Sequence, residues 1–260
     1  MIPTDDRGLL LGDGLFETVL LEKGVLVWWE AHLARLARAC ERLGLPAPEA
    51  VHCFETVMAA VDRAGLDVQR QAVRLTLTAG SGGRGLERPA SLAVRMFATV
   101  APAPETHAPL SMVTSTVRRN EASPASRLKT LAYLDNVLAR REALKAGAQE
   151  ALMLNVSGEI ACAAAANVFW SRGGRIFTPA LECGVLDGIA RAHALAGASH
   201  SGSKVCEVRA DWAELQGADA VVVTNSLVGA RPVGTLDGRS LASEGLSAQI
   251  MTWLGTARGV

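Results

Sequence analysis

Lys129 stands at a junction in the chain, after Pro124-Ala-Ser-Arg-Leu128 and before an apolar-periodic stretch. Lysine performs imine chemistry when burial or a neighbouring cation lowers its pKa, although most lysines are simply solvated. Three other stretches could hold an anion. Gly80-Ser-Gly-Gly-Arg-Gly85 could offer backbone N–H groups and the Arg84 guanidinium to a carboxylate or phosphate, or could serve only as a turn. It is not G-x-x-x-x-G-K-[ST], which excludes a nucleotide P-loop. Gly184-Val-Leu-Asp-Gly-Ile-Ala-Arg191 leads a glycine loop into a helix, where free N–H groups suit a phosphate. Thr224-Asn-Ser226 follows the apolar strand Val221–Val223, and strand ends are where α/β proteins keep ligands and where turns begin.

These residues need elements to position them. Glu30–Leu43 repeats Leu33, Leu36, Ala37, Cys40 and Leu43 on one helical stripe. Val73–Thr78 alternates strictly, as a half-buried strand does, and runs through the glycine loop to a second strand over Ser91–Val100. Ala101–Pro109 carries three prolines and reads as a linker. The second half predicts a strand over Leu110–Val117 and a helix over Leu131–Ala146. Hairpins follow over Ala151–Ala166 and Val168–Phe177, then a helix from about Gly188, a strand ending at Thr224 and a last helix from Ser243.

Composition narrows the class. The chain has 260 residues, with 26 Lys plus Arg against 26 Asp plus Glu, so it lacks the global field that nucleic acid or an anionic membrane would need. Its longest apolar runs are far short of the ~20 residues that span a bilayer. Asp5, Asp6 and Arg7 leave no secretory h-region. Five scattered cysteines without a C-x-x-C pair argue against structural zinc or a disulfide framework, and scattered histidines give a metal site little support. The expectation is a cytoplasmic α/β protein.

Six motifs then stand in register: Gly12-Asp-Gly-Leu-Phe-Glu-Thr18, His32-Leu-Ala-Arg-Leu36, the glycine loop, Leu128-Lys-Thr-Leu131 with Asn136-Val-Leu-Ala139, Ala166-Asn-Val-Phe-Trp170, and Thr178 through Arg191. Their order and spacing, from about Arg7 to Val233, resemble the class IV (fold-type IV) pyridoxal-phosphate enzymes. That family includes branched-chain and D-amino-acid aminotransferases and aminodeoxychorismate lyases. The glycine loop paired with Ala-Asn-Val-Phe-Trp, and the segment Thr224–Val233, look most like the lyases.

The resemblance implies a homodimer of a two-domain α/β chain, with a smaller domain over residues 1–103, a linker at 104–108, a larger domain over 109–260 and pyridoxal phosphate between the domains. Lys129 matches the lysine that carries the cofactor covalently. Arg35 matches the arginine that grips its phosphate, Gly188, Ile189 and Ala190 match the helix start that caps it, and Ser226 matches a hydroxyl ligand. Arg84 matches a substrate-carboxylate arginine, and Phe16 occupies a wall of the active site. Cys162 falls where the family usually places a glutamate against the pyridine nitrogen. Glu159 cannot replace it, because an odd offset along a strand points to the other face. The implied activity converts 4-amino-4-deoxychorismate to 4-aminobenzoate and pyruvate. The alternatives are aminotransfer on branched-chain or D-amino acids, or a non-catalytic relative.

Overall fold

The structure, a computed structural model, describes residues 2–82, 85–104 and 108–258. Arg84 and most of the expected linker lie outside the described residues. The chain divides into two compact units, Met1–Pro104 with Leu128–Ala132, and Glu105–Arg127 with Tyr133–Val260. Sequence reading placed everything after residue 108 in one domain. The short segment that holds Lys129 instead returns to the first unit.

The first unit contains α1 (Arg7–Leu11), β1 (Gly14–Glu22), β2 (Val25–Leu26), α2 (Trp29–Leu43), α3 (Ala50–Ala64), β3 (Arg70–Thr78) and β4 (Arg95–Pro102). Its sheet runs β2-β1-β3-β4 and is antiparallel throughout. Leu15 and Leu21 of β1 and Val73, Leu75 and Leu77 of β3 share a core with Leu36, Ala39 and Cys40 of α2 and with Cys53 and Val57 of α3. Burial of β1 along nearly all its length explains why its sequence lacks the alternation that marked β3. β4 begins at Arg95, later than the expected Ser91.

The Lys129 segment joins this sheet by main-chain bonds. Phe16 N–H donates to Lys129 O at 2.9 Å, Leu131 N–H donates to Gly14 O at 3.0 Å, and Leu15 and Thr130 form an antiparallel bridge. Because strand side chains alternate, Thr130 takes the face of Leu15 and Lys129 takes the face of Phe16.

The second unit contains β5 (Leu110–Thr114), α4 (Leu134–Lys145), β6 (Glu150–Leu154), β7 (Ile160–Ala163), β8 (Asn167–Arg172), β9 (Arg175–Pro179), α5 (Ile189–His200), β10 (Val205–Val208), α6 (Trp212–Gln216), β11 (Ala220–Asn225), β12 (Gly229–Leu236), β13 (Arg239–Ser240) and α7 (Glu244–Arg258). The sheet order is β10-β9-β8-β11-β12-β5-β6-β7, with β13 beside β12. Ile160 N–H donates to Ala210 O and Glu159 bridges Asp211, so the sheet curls. Met112, Ile160, Trp170, Val221 and Val233 belong to one buried apolar cluster. Helices α5 and α7 pack on β11, and α4 packs on β6. β5 stops at Thr114, short of Val117. Glu142 of α4 explains the early stop, since it takes the Ser115 hydroxyl and both donors of Thr116 away from any ladder.

Gly80 ends β3 with φ +77°, and a Cβ there would overlap Ala93 O. Strain and overlap together cost about 2 kcal/mol or more, so Gly80→Ala lowers Tm by roughly 4–8 °C. Gly245→Ala, with open space around it in α7, does not lower Tm in the same calorimetric scan.

Candidate active site

The face of Phe16 collects two cations. Lys129 Nζ lies 4.1 Å from the Phe16 ring centroid, and Arg74 Cζ lies 3.5 Å from the same centroid. The register explains it: Phe16 sits opposite Thr76, so Arg74 is its diagonal neighbour on the same face. Burial pushes the Lys129 ammonium down to about 7, helped by repulsion from Arg35 and Arg74 and opposed by Glu17. A lysine that sheds its proton near neutral pH is both a nucleophile and a base. Sequence reading named Lys129 and Phe16 but missed Arg74. Its strand was legible; the residue it would neighbour was not.

The other face of β1 carries Glu17, which meets α2. Arg35 donates from Nε to Oε1 at 2.8 Å and from its second terminal nitrogen to Oε2 at 2.6 Å, while His32 Nδ1 lies 2.7 Å from Oε2. All three residues are buried. Burial opposes the Glu17 charge, but the Arg35 guanidinium and the His32 hydrogen bond outweigh it and hold the carboxyl at about 2. Burial lowers the His32 pKa against the pull of Glu17, so the imidazole is neutral and donates from Nδ1. Arg35 is thus on the buried stripe of α2 and already bears one anion. Glu17 and His32 were visible in the motifs, but nothing in the sequence assigned them to it.

In the second unit the start of α5 presents backbone donors that no side chain caps. Gly188 is its extended N-cap, no side chain caps it, and Ile189 and Ala190 form its first turn. A Cβ on Gly188 would overlap Asn167 Oδ1, so only glycine lets the loop approach Asn167, whose amide donates to Leu186 O at 2.9 Å. Asn167 in turn pairs with Thr224 across β8 and β11. Thr224 is fully buried and its Oγ1 lacks a partner among the described residues, the mark of a hydroxyl built for a ligand. Ser226 follows in a turn shaped by Asn225 Oδ1, which accepts from Leu227 N–H and Val228 N–H. The residues present therefore fit a phosphate. The sequence names Thr224-Asn-Ser226 as a candidate stretch and the resemblance assigns the hydroxyl to Ser226; the structure adds the buried Thr224 hydroxyl.

Cys162 lies on β7 opposite Met153, in a cluster with Ala139, Ala143 and Ala151. Burial pushes its thiol up, against the Arg119 guanidinium, so it stays neutral. Arg119 is another residue the sequence did not flag; it donates to Asn136 Oδ1 at 3.2 Å and Ser126 O at 2.6 Å. Glu159 is engaged by Asn155 at 2.7 Å and Arg209 at 2.7 Å, and does not stand in for an acidic residue at 162. Among the described residues, no group of three or more His, Cys, Asp or Glu side chains could hold a metal ion.

The Lys129 shift has a stability sign. Its folded pKa is about 7 and its ordinary value 10.5, so folding is penalised in full below pH 7 and the penalty vanishes above pH 10.5. Lys129→Met therefore raises the Tm of the apoprotein by roughly 10 °C or more at pH 7 and hardly at all near pH 10.5, read by calorimetry at both pH values.

The model of the family described as Amino-transferase class IV matches residues 14–236. The chain is 29% identical over 226 residues to the aminodeoxychorismate lyase of Bacillus subtilis, covering 86% of this chain and 77% of the relative. It is 30% identical over 240 residues to a protein of Methanocaldococcus jannaschii named "Putative branched-chain-amino-acid aminotransferase", covering 90% and 82%. A solved structure from Legionella pneumophila, named "Putative 4-amino-4-deoxychorismate lyase", superposes with a TM-score of 0.91 at 26% identity, over 99% of this chain and 95% of that one. These likenesses mean that the chain belongs to the class IV aminotransferase family and is a pyridoxal-phosphate-dependent enzyme.

Proposed function

We propose that this enzyme is a lyase that converts 4-amino-4-deoxychorismate to 4-aminobenzoate and pyruvate, a step toward folate. The observation that carries this reading over aminotransfer is the neutral, buried thiol at position 162. A carboxylate against the pyridine nitrogen keeps that nitrogen protonated and the ring strongly electron-withdrawing, whereas a neutral thiol is at best a weak donor. Aminotransfer depends on that pull in both half-reactions. A lyase whose product gains an aromatic ring depends on it less. The resemblance of the glycine loop and Ala166–Trp170 to lyases supports the same choice.

Arg35, the start of α5, Thr224 and Ser226 would hold the cofactor phosphate in this reading, and Lys129 would hold the cofactor covalently. When bound, the cofactor supplies a conjugated ring that draws electron density from the carbon bearing the substrate amine. Lys129, neutral near pH 7, takes the proton from that carbon. It returns the proton to the enolpyruvyl methylene as the carbon–oxygen bond breaks, giving pyruvate, while the six-membered ring becomes aromatic. Arg74 offers a fixed guanidinium beside the lysine to a substrate carboxylate, a role also proposed for Arg84, and Phe16 walls the site.

The chain acts in the cytoplasm as a homodimer in this reading, supported by five unbridged cysteines and by exposed apolar residues such as Leu9 and Leu10 on α1 and Leu134, Val137 and Leu144 on α4.

Incubation of the holoenzyme with 4-amino-4-deoxychorismate, without any keto acid, yields 4-aminobenzoate and pyruvate in equal amounts. A requirement for 2-oxoglutarate, with glutamate as product, establishes the aminotransferase instead, a reading favoured by the 30% identical relative. Borohydride reduction and peptide mapping mark Lys129; a mark on Lys23, Lys145 or Lys204 overturns its role.

A further inference from the structure

Arg35 meets Glu17 side-on, through Nε and one terminal nitrogen. That fork fixes the plane of the guanidinium and turns its remaining edge away from the carboxylate. Glu17 also cancels the Arg35 charge, so the arginine offers an incoming anion direction more than net attraction. The direction is only as fixed as the carboxylate, whose terminal bond is free to rotate unless a third group holds it.

His32 is that group. It lies one turn before Arg35 on α2, so both reach the same carboxylate from one helix face. Its Nδ1 donates to the Oε2 that also accepts from Arg35. The ring is buried, and its Nε2, without a proton in this tautomer, has no partner among the described residues. A histidine chosen for packing would not leave a buried nitrogen unserved, at the cost of about 1–3 kcal/mol. The Nδ1 bond is what the position retains.

We infer that His32 is a positioning residue: through Glu17 it fixes the direction in which Arg35 presents its guanidinium to the cofactor phosphate. This rests on the reading of Arg35 as a phosphate ligand.

The test compares binding of pyridoxal 5′-phosphate with binding of pyridoxal, which lacks the phosphate, to the full-length apoprotein by absorbance titration. The ratio of the two affinities isolates the phosphate site. Arg35→Lys keeps the charge and loses the fork, and lowers the ratio about tenfold or more. His32→Leu lowers it about tenfold, and His32→Asn, whose amide nitrogen can take the place of Nδ1, restores it to within about threefold of native. His32→Gln places its amide at the Nε2 position and does not restore it, which keeps the comparison decisive if His32→Leu fails to fold. Equal ratios for His32→Asn and His32→Gln overturn the role of His32, as does an unchanged ratio in His32→Leu while Arg35→Lys falls. An unchanged ratio in Arg35→Lys overturns the reading of Arg35 itself.

Discussion

A carboxylate cannot be carried into a protein interior alone, and Glu17 sets the terms for the first unit. It sits on a strand whose neighbours are almost all apolar, so its charge must be matched from the one helix that covers that face. Arg35 matches the charge and His32 fills the remaining bond. The pair ties α2 to β1, and Arg35 adds to burial in lowering the Lys129 pKa while Glu17 opposes it. Replacing this trio with packed hydrophobes could stabilise the fold, as buried ion pairs often allow. What would be lost is the local field in which the lysine sits.

The second unit solves the opposite problem. The start of α5 presents helix donors without a side-chain cap, and Thr224 a hydroxyl without a partner among the described residues. Such groups raise the free energy of the ligand-free fold and recover it when an anion arrives. One unit keeps its charges neutralised and directional, and the other keeps its donors unsatisfied.

The helical stripe of α2 and the alternation of β3 were legible as periods in the sequence, whereas the hairpins of the second unit, whose strands are almost wholly buried, were legible from the glycine turns Val156–Gly158 and Ser171–Gly174. β1 was not, because a strand covered on both faces has no period to read. Among candidate residues, Lys129 and the start of α5 had local signals, a chain junction and a glycine loop entering a helix, and Phe16 was found by the register of motifs. Arg74, Glu17 and His32 were missed for a common reason. Their importance lies in what they face, and pairing between distant segments is invisible in a linear pattern. The division of the chain failed in the same way at Leu128–Ala132.

That last segment bears on how the chain is made. Phe16 and Lys129 meet through a main-chain bond although roughly a hundred residues separate them, and loop closure on that scale is slow to find even though it costs little more than a shorter one. During synthesis the first hundred residues leave the ribosome with the edge of β1 at Gly14–Phe16 still waiting for its strand. An open strand edge is a template for pairing with other chains. The nascent protein is therefore most prone to aggregate in the interval before the Lys129 segment arrives, since that segment ends the exposure.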